Sequence, residues 1–571
     1  MTALRPLAAA ALALVLSACA GRGGPATDVA GRGGTYDVVI ENGRIVDGTG
    51  SAWYHGDVAL RGDRIAAMGP RGAFRSANAR TRVDATGHVV APGFIDIQAH
   101  SLAHYMNGDG RAISMITQGI TTAIHGEGSS LAPINDKLLA AETDTAARRV
   151  LSGFTGPRGF AKWLKYMHAR GTAQNVGSFL GDGTLRVYAK GEAAGPLTPA
   201  ELDSMRAAVR YAMEGGAFGI ASALIYPPNT YASTEELVEA AKAMAPYGGV
   251  YITHMRSEGD KFLEAMDEAL RIGREGGVPV EIFHLKASGP RNWPKMPLAI
   301  AKIDSARAAG QDVQANMYLY PAGGNSFSSC IPPKYSEGGR LMDNLKDASL
   351  RATMVAEIQA RDAGYENLCE IAGPENVMVV GFRKPENQRF EGKRLSEISA
   401  ALGKNWAETI IDLNVDEQLG LGEILFLMSE ENMRLQLRQP WMKFGTDAGS
   451  QDPARARGNV HPRAYGNFPR IFARYVREQH VLQLEDAVRK ASAAVATRLN
   501  ITDRGVLKPG LKADIIVFDP ATITDNATFE KPHQLSTGVR DVFVNGVAVL
   551  RDNAHTGAKP GQVVYGPGYR P

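Results

Sequence analysis

Three observations predict an α/β fold, a TIM (β/α)8 barrel with a small composite β-domain built from both chain ends. Eight short apolar strand candidates, at 88–100, 121–127, 176–181, 219–226, 249–254, 278–284, 313–320 and 442–447, alternate with helical patterns such as 234–245 and 261–275. That alternation is the mark of parallel βα units. Strand-rich texture recurs at both ends of the chain, and neither end alone has strands enough for a stable core. Polar side chains sit at successive strand ends, where barrels of this kind carry their chemistry. An open doubly wound sheet is the runner-up, but no strand is followed by a Gly-x-Gly-x-x-Gly loop that opens a helix.

Residues 1–19 read as a lipoprotein-type signal peptide. Arg5 precedes the apolar run 7–16, which is too short to span a bilayer. Leu16-Ser-Ala-Cys19 resembles a bacterial lipobox, so Cys19 is the expected lipidation site and the protein is expected to be exported, periplasmic or held at the cell envelope. Ordinary signal cleavage is the alternative. The glycine-rich stretch 20–34 then serves as a flexible tether, and contact with the membrane is expected only through the lipid.

The small β-domain is assigned to 35–89 and 500–571. Alternating β-branched residues on either side of Asn42-Gly43 predict a hairpin within 36–47. A second hairpin turns at Arg61-Gly62-Asp63, and a third, within 539–550, at Asn545-Gly546. The barrel is assigned to 90–499, with an insertion within about 330–440 that holds more than one helix.

Of the 571 residues, 44% are hydrophobic and 22% charged, with 63 basic against 60 acidic side chains and a net charge of +3. This composition suits a globular protein with one large domain and a smaller one. It carries no nucleic-acid footprint, so a small-molecule partner is expected. With Cys19 committed to lipid, only Cys330 and Cys369 remain, which excludes a disulfide scaffold. Whether they pair or stay as buried thiols is open, as is the oligomeric state.

The chemistry-bearing residues lie at strand ends. The first strand ends in Gln98-Ala-His100, two side chains on one face that can converge on an ion. The second runs into His125-Gly-Glu127, the fifth into Thr253-His254, the sixth into His284-Leu-Lys286, and the eighth into Gly445-Thr-Asp447. Imidazoles with a carboxylate and open positions are the ligand set that zinc prefers. Any one of these histidines alone would be a structural residue more often than a ligand.

Several strings then resemble the amidohydrolase superfamily, and within it the D-aminoacylases (N-acyl-D-amino-acid deacylases): 117–122 before Glu127, Phe218-Gly-Ile-Ala-Ser-Ala-Leu-Ile-Tyr226-Pro-Pro, Thr253-His-Met-Arg-Ser-Glu-Gly-Asp260, and His461-Pro-Arg463-Ala-Tyr-Gly-Asn-Phe-Pro-Arg470. Gly505 to Asp519 resembles the C-terminal signature of amidohydrolases. The resemblance implies zinc-dependent hydrolysis of the amide of N-acyl-D-amino acids or L-to-D dipeptides. Metal-bound hydroxide would be the nucleophile, with Asp447 as general base and acid.

By the same resemblance, His254, His284 and the bridging Glu127 hold the tight metal, and His100 belongs to the metal site. Lys286, Arg463, Tyr320, Ser326 and Tyr226 bind the substrate. Where the family has His-x-His on the first strand, this chain has Gln98. An amide oxygen is a poor zinc ligand beside imidazole, so one tightly bound zinc is expected and a second site is doubtful. The 320–333 loop has no basic residue, which favours a neutral or apolar D-amino acid. Two alternatives stand: another amidohydrolase reaction, on dipeptides or cyclic amides, and a metal-poor, non-catalytic binding lipoprotein.

Overall fold

The computed structural model describes residues 35–571 apart from residue 363. The signal peptide, Cys19 and the tether lie outside the described residues.

Eight parallel strands form the barrel: Phe94–Asp96, Ile120–His125, Asn175–Ser178 continued by Leu180–Gly181, Gly219–Ala223, Val250–His254, Val280–Ile282, Val313–Met317 and Met442–Phe444. A parallel bridge between Ala99 and Ala448 joins the first strand to the eighth. All eight match strands expected from the sequence. Around them pack amphipathic helices with clear stop signals. Thr234–Met244 is N-capped by Ser233, and Phe262–Gly276 ends on Gly277 in the left-handed conformation.

The first predicted strand, 88–100, is two strands. Val89–Pro92 pairs in the small domain with Ile515–Phe518, whereas Phe94–Asp96 belongs to the barrel. Gly93 makes the break because its backbone presses on Thr121, where a Cβ would lie 2.2 Å from the hydroxyl oxygen.

The small domain is one nine-stranded sheet made from both chain ends. The expected hairpin at Asn42-Gly43 is absent. Thr35–Ile45 runs as one strand along Tyr54–Arg61 with a bulge between Ile40 and Gly43. Asn42 takes φ 63° and donates its backbone N–H to Asp57 Oδ1, so the polar dipeptide kinks the strand without reversing it. The turns at 61–63 and at Asn545-Gly546 do form hairpins. Asp514 ties the domain to the barrel: its carboxylate accepts from Asn175 Nδ2, Arg504 Nη1 and the Asn545 N–H.

The insertion's sheet begins at Gly323, earlier than the sequence suggests. This sheet, Gly323–Ser326, Val377–Val380 and Gly422–Leu425, is antiparallel, and the insertion's core is separate from the barrel's, with Phe327, Ile358, Leu395 and Ile410 among its buried residues. Glu430–Leu437 already packs in the barrel core through Met433 and Leu437. Within the insertion Cys330 and Cys369 form a disulfide. Among the described residues, no helix is long and apolar enough to cross a membrane.

Candidate active site

The strand ends bring Glu127, His254 and His284 together, with one donor atom from each within 4.8 Å of the others. Glu127 Oε1 lies 3.2 Å from His284 Nε2 and 3.5 Å from His254 Nδ1. Its other oxygen, Oε2, receives Gln98 Nε2 at 2.6 Å and faces His100 Nε2 at 3.1 Å. His100 Nε2 also meets Asp447 Oδ1 at 3.2 Å, and Asp447 Oδ2 pairs with Arg463 Nη1 at 2.8 Å. Glu127 is thus shared by two clusters, one with His254 and His284 and one with His100 and Asp447.

Backbone geometry aims two of these side chains. His284 has φ 32° and Asp447 φ 50°, a left-handed conformation that residues other than glycine adopt rarely and that concentrates at functional sites. Each is held by neighbours on the adjoining strands. Asn316 Oδ1 accepts the His284 N–H, and the Gln98 carbonyl accepts that of Asp447. Asp96, buried below Gln98, accepts from the backbone N–H groups of both Gln98 and Thr446. Burial raises its pKa to about 6 against the pull of these bonds.

The electrostatics suit a cation. Burial works against the Glu127 carboxylate, but His284 and the bonds from His100, His254 and His284 hold its pKa well below the ordinary range. Burial lowers the pKa of His254 and favours its neutral, ligating form. For His284, burial and the Lys286 ammonium oppose the charge, yet Glu258, Glu127 and Asp447 prevail and raise the pKa to about 9. His254 Nε2 and Gln98 Oε1 are buried without hydrogen-bond partners. Two imidazoles converging on a carboxylate fit a divalent metal that displaces the proton now favoured on His284.

The substrate residues are placed unequally. Tyr226 and Arg463 line the same cavity of about 640 Å³ as His100, Glu127, His254, His284 and Asp447. The Tyr226 hydroxyl donates to Asn325 Oδ1, and Arg463 Nη2 to the Gly324 carbonyl. Ser326 lies in a smaller adjoining cavity of about 280 Å³ and meets Ser328.

Lys286 and Tyr320 do not line the larger cavity. The Lys286 ammonium is buried behind His284, 2.6 Å from Glu258 Oε1 and 2.8 Å from His284 Nδ1. The left-handed turn at His284 breaks the strand alternation that would have carried Lys286 to the cavity face. The Tyr320 hydroxyl donates instead to Asp525, outside the cavity wall. Tyr318, two residues earlier, stacks beneath the Arg463 guanidinium with its ring centroid 4.5 Å away. Arg256 and Glu258 do not pair with each other. Arg256 binds Glu268, and Glu258 binds Lys286.

Sequence reasoning missed Asp96, Asn316 and the role of Glu258. Asp96 shares the 98/100 face by the same two-residue period, and Glu258 lies four residues past His254 in the loop that follows its strand. Those spacings were the available signals.

Residues 435–550 match the Amidohydrolase family. The chain is 33% identical over 530 residues to a D-aminoacylase of Alcaligenes xylosoxydans xylosoxydans, covering 93% of this chain and 97% of that protein.

The chain belongs to the D-aminoacylase family of amidohydrolases.

A second family member, N-acyl-D-glutamate deacylase of the same organism, is 33% identical over 532 residues. The crystal structure of a D-aminoacylase superposes with a TM-score of 0.76 at 32% identity, covering 93% of this chain and all of that one. The N-acyl-D-glutamate deacylase of Bordetella bronchiseptica, solved with zinc and a phosphonate mimic of the tetrahedral intermediate, gives 0.74 at 30% identity, with the same coverage. Family membership makes this chain a metal-dependent amide hydrolase with a barrel and an accessory β-domain.

Proposed function

We propose that this protein hydrolyses the amide bond of N-acyl-D-amino acids, with L-to-D dipeptides in the same substrate class, and that one zinc held by Glu127, His254 and His284 serves the reaction. The observation that carries this reading is the meeting of those three ligands and the Asp447–Arg463 pair in the wall of one cavity. When bound, zinc supplies a Lewis acid for the amide carbonyl and lowers the pKa of a coordinated water to about 7.

Asp447 is the proton carrier. Burial opposes its charge, but Arg463 leads the groups that keep its pKa below the ordinary value. Its Oδ2 is held by Arg463, so Oδ1, facing His100, takes the proton of the attacking water and returns it to the leaving amine. His100, pushed up to about 10 by Asp447 and Glu127 despite desolvation, presents a positive edge to the developing oxyanion. Arg463, with Nε buried and unpartnered, and Tyr226 orient the substrate carboxylate.

One metal is favoured over two because Gln98 directs an N–H, not a lone pair, at the Glu127 oxygen that a second ion would share. The amino-acid side chain is assigned to the cavity of about 280 Å³, where Glu192 is the charged member of a wall otherwise made of residues such as Tyr226, Ser326, Ile331 and Leu341. A neutral or apolar side chain suits it. The test is release of D-leucine or D-methionine from the N-acetyl derivatives. Equal rates on the L-enantiomers, or preference for N-acetyl-D-glutamate, would count against the reading.

Export as a lipid-anchored envelope protein belongs to the same proposal. Leu16-Ser-Ala-Cys19 supports it, and the Cys330–Cys369 disulfide suits an oxidising compartment. Mass spectrometry of the mature N-terminus should find a diacylglyceryl Cys19, and an unmodified N-terminus upstream of Cys19 would contradict it.

A further inference from the structure

Beyond the metal ligands, the cavity of about 640 Å³ continues under the segment that follows the second barrel strand. There its wall is Leu131, Ile134, Leu138, Ala141, Leu151 and Val187. A second cavity of about 560 Å³ shares His100, Glu127, Leu131 and Leu151 with it and adds Leu102, Met106 and Val150. The two short helices that roof this space, Asp136–Ala141 and Thr145–Leu151, bury none of their residues fully. Leu138, Val150 and Leu151 touch the barrel core from one side and stay half-open on the other. A mainly apolar lining, interrupted by Glu142 and Glu192, that the fold leaves uncovered and that opens on a catalytic centre suits an apolar part of the substrate.

The direction of the substrate follows from the opposite wall. Arg463, Asn325 and Gly324 line both this cavity and a neighbouring one whose wall holds the cations Arg383 and Arg457 with Asn459 and His461, beside apolar residues such as Phe382 and Ile424. The α-carboxylate belongs on that side. With the scissile carbonyl over Glu127, His254 and His284, the acyl half points into the apolar chamber.

An aminoacyl group would place an ammonium on the carbon next to that carbonyl. The nearest carboxylates are already engaged there, Glu127 with the imidazoles and Asp447 with Arg463 and His100. The wall also holds Ser130, whose hydroxyl is spent on the Ala132 carbonyl, Glu142, one oxygen of which accepts from the Asp144 N–H, and Glu192, which lies against Gly339.

We infer that the chamber between the metal ligands and the 131–151 segment binds an aliphatic acyl chain, so that the preferred substrates are D-amino acids N-acylated with medium-length fatty acids. This rests on the deacylase reading above and narrows its substrate class.

The test is an acyl series, acetyl, butanoyl, hexanoyl and octanoyl, on one D-amino acid, together with calorimetric binding of octanoate and acetate to the holoenzyme. Each methylene is expected to raise kcat/KM by about two- to fourfold, the upper figure corresponding to ~0.8 kcal/mol per buried CH₂. Octanoate should bind at least tenfold more tightly than acetate. Leu151→Trp and, separately, Leu138→Trp should pull the octanoyl-to-acetyl ratio of kcat/KM towards one and weaken octanoate binding. A flat or falling series, or an L-aminoacyl substrate that outranks octanoyl, would overturn the inference, as would equal binding of the two acids. If octanoate binds selectively, and the tryptophan variants abolish that, while no N-acyl-D-amino acid is hydrolysed, the chamber stands and the deacylase reading fails.

Discussion

Gln98 donates its side-chain amide to Glu127 over 2.6 Å, filling with an N–H the carboxylate oxygen that faces His100. The other oxygen of Glu127 stays with His254 and His284. One glutamine therefore divides the carboxylate into an oxygen turned to two imidazoles and an oxygen already occupied.

Gln98→His should raise metal content from about one equivalent towards two, because an imidazole replaces the amide as a ligand. The D-amide hydrolase activity should persist in kind. Elemental analysis after dialysis against zinc checks it, and unchanged stoichiometry would show that Gln98 is not what limits the second site.

Asp447→Asn should lower kcat by roughly 10²–10⁴-fold, the range for loss of a positioned acid–base group, and leave zinc content near one equivalent. Loss of metal along with activity would make Asp447 a ligand more than a proton carrier.

Glu258 supports the ligands from behind, 3.0 Å from His284 Nδ1 and 3.7 Å from His254 Nε2, with Lys286 closing the pair. Glu258→Gln should weaken zinc binding by about 10–100-fold, as loss of a buried partner to ligating histidines does. Competition with a chelator measures it, and an unchanged affinity would reduce Glu258 to a partner of Lys286.

Glu423 is buried in the insertion beside the disulfide, and burial raises its pKa from 4.5 to about 8 even though Ser329 donates to it. Between those values the folded chain holds a proton that the unfolded chain has released. Stability from this group is therefore full below about pH 4.5 and is lost as pH rises towards 8, with a slope of at most ~1.4 kcal/mol per pH unit. Denaturant unfolding of wild type and Glu423→Gln from pH 5 to 8 should show the variant losing less stability across that range. Parallel curves would contradict it.

The strand ends carrying Gln98, His100, Glu127, His254, His284 and Asp447 were legible in the sequence because apolar runs ending in polar side chains survive any detail of packing. Residue parity also foretold that Gln98 and His100 face one way. Parity does not extend to Lys286, because it assumes extended backbone and His284 is left-handed. Tyr320 was expected only from the family resemblance, and it is the ring of Tyr318, two residues earlier, that meets Arg463. Asn42-Gly43 looked like a turn, yet a side chain distant in sequence, Asp57, captured the backbone N–H and made a bulge. The insertion's first strand, Gly323–Ser326, has no strand-forming composition and pairs only because Gly422–Leu425 lies beside it.

Zinc titration into metal-free protein, followed by the initial rate on N-acetyl-D-methionine, tests most directly whether Glu127, His254 and His284 form a one-metal catalytic site. The rate should rise linearly and level off at one equivalent. A rate that stays at zero, or that keeps rising to two equivalents, would contradict it.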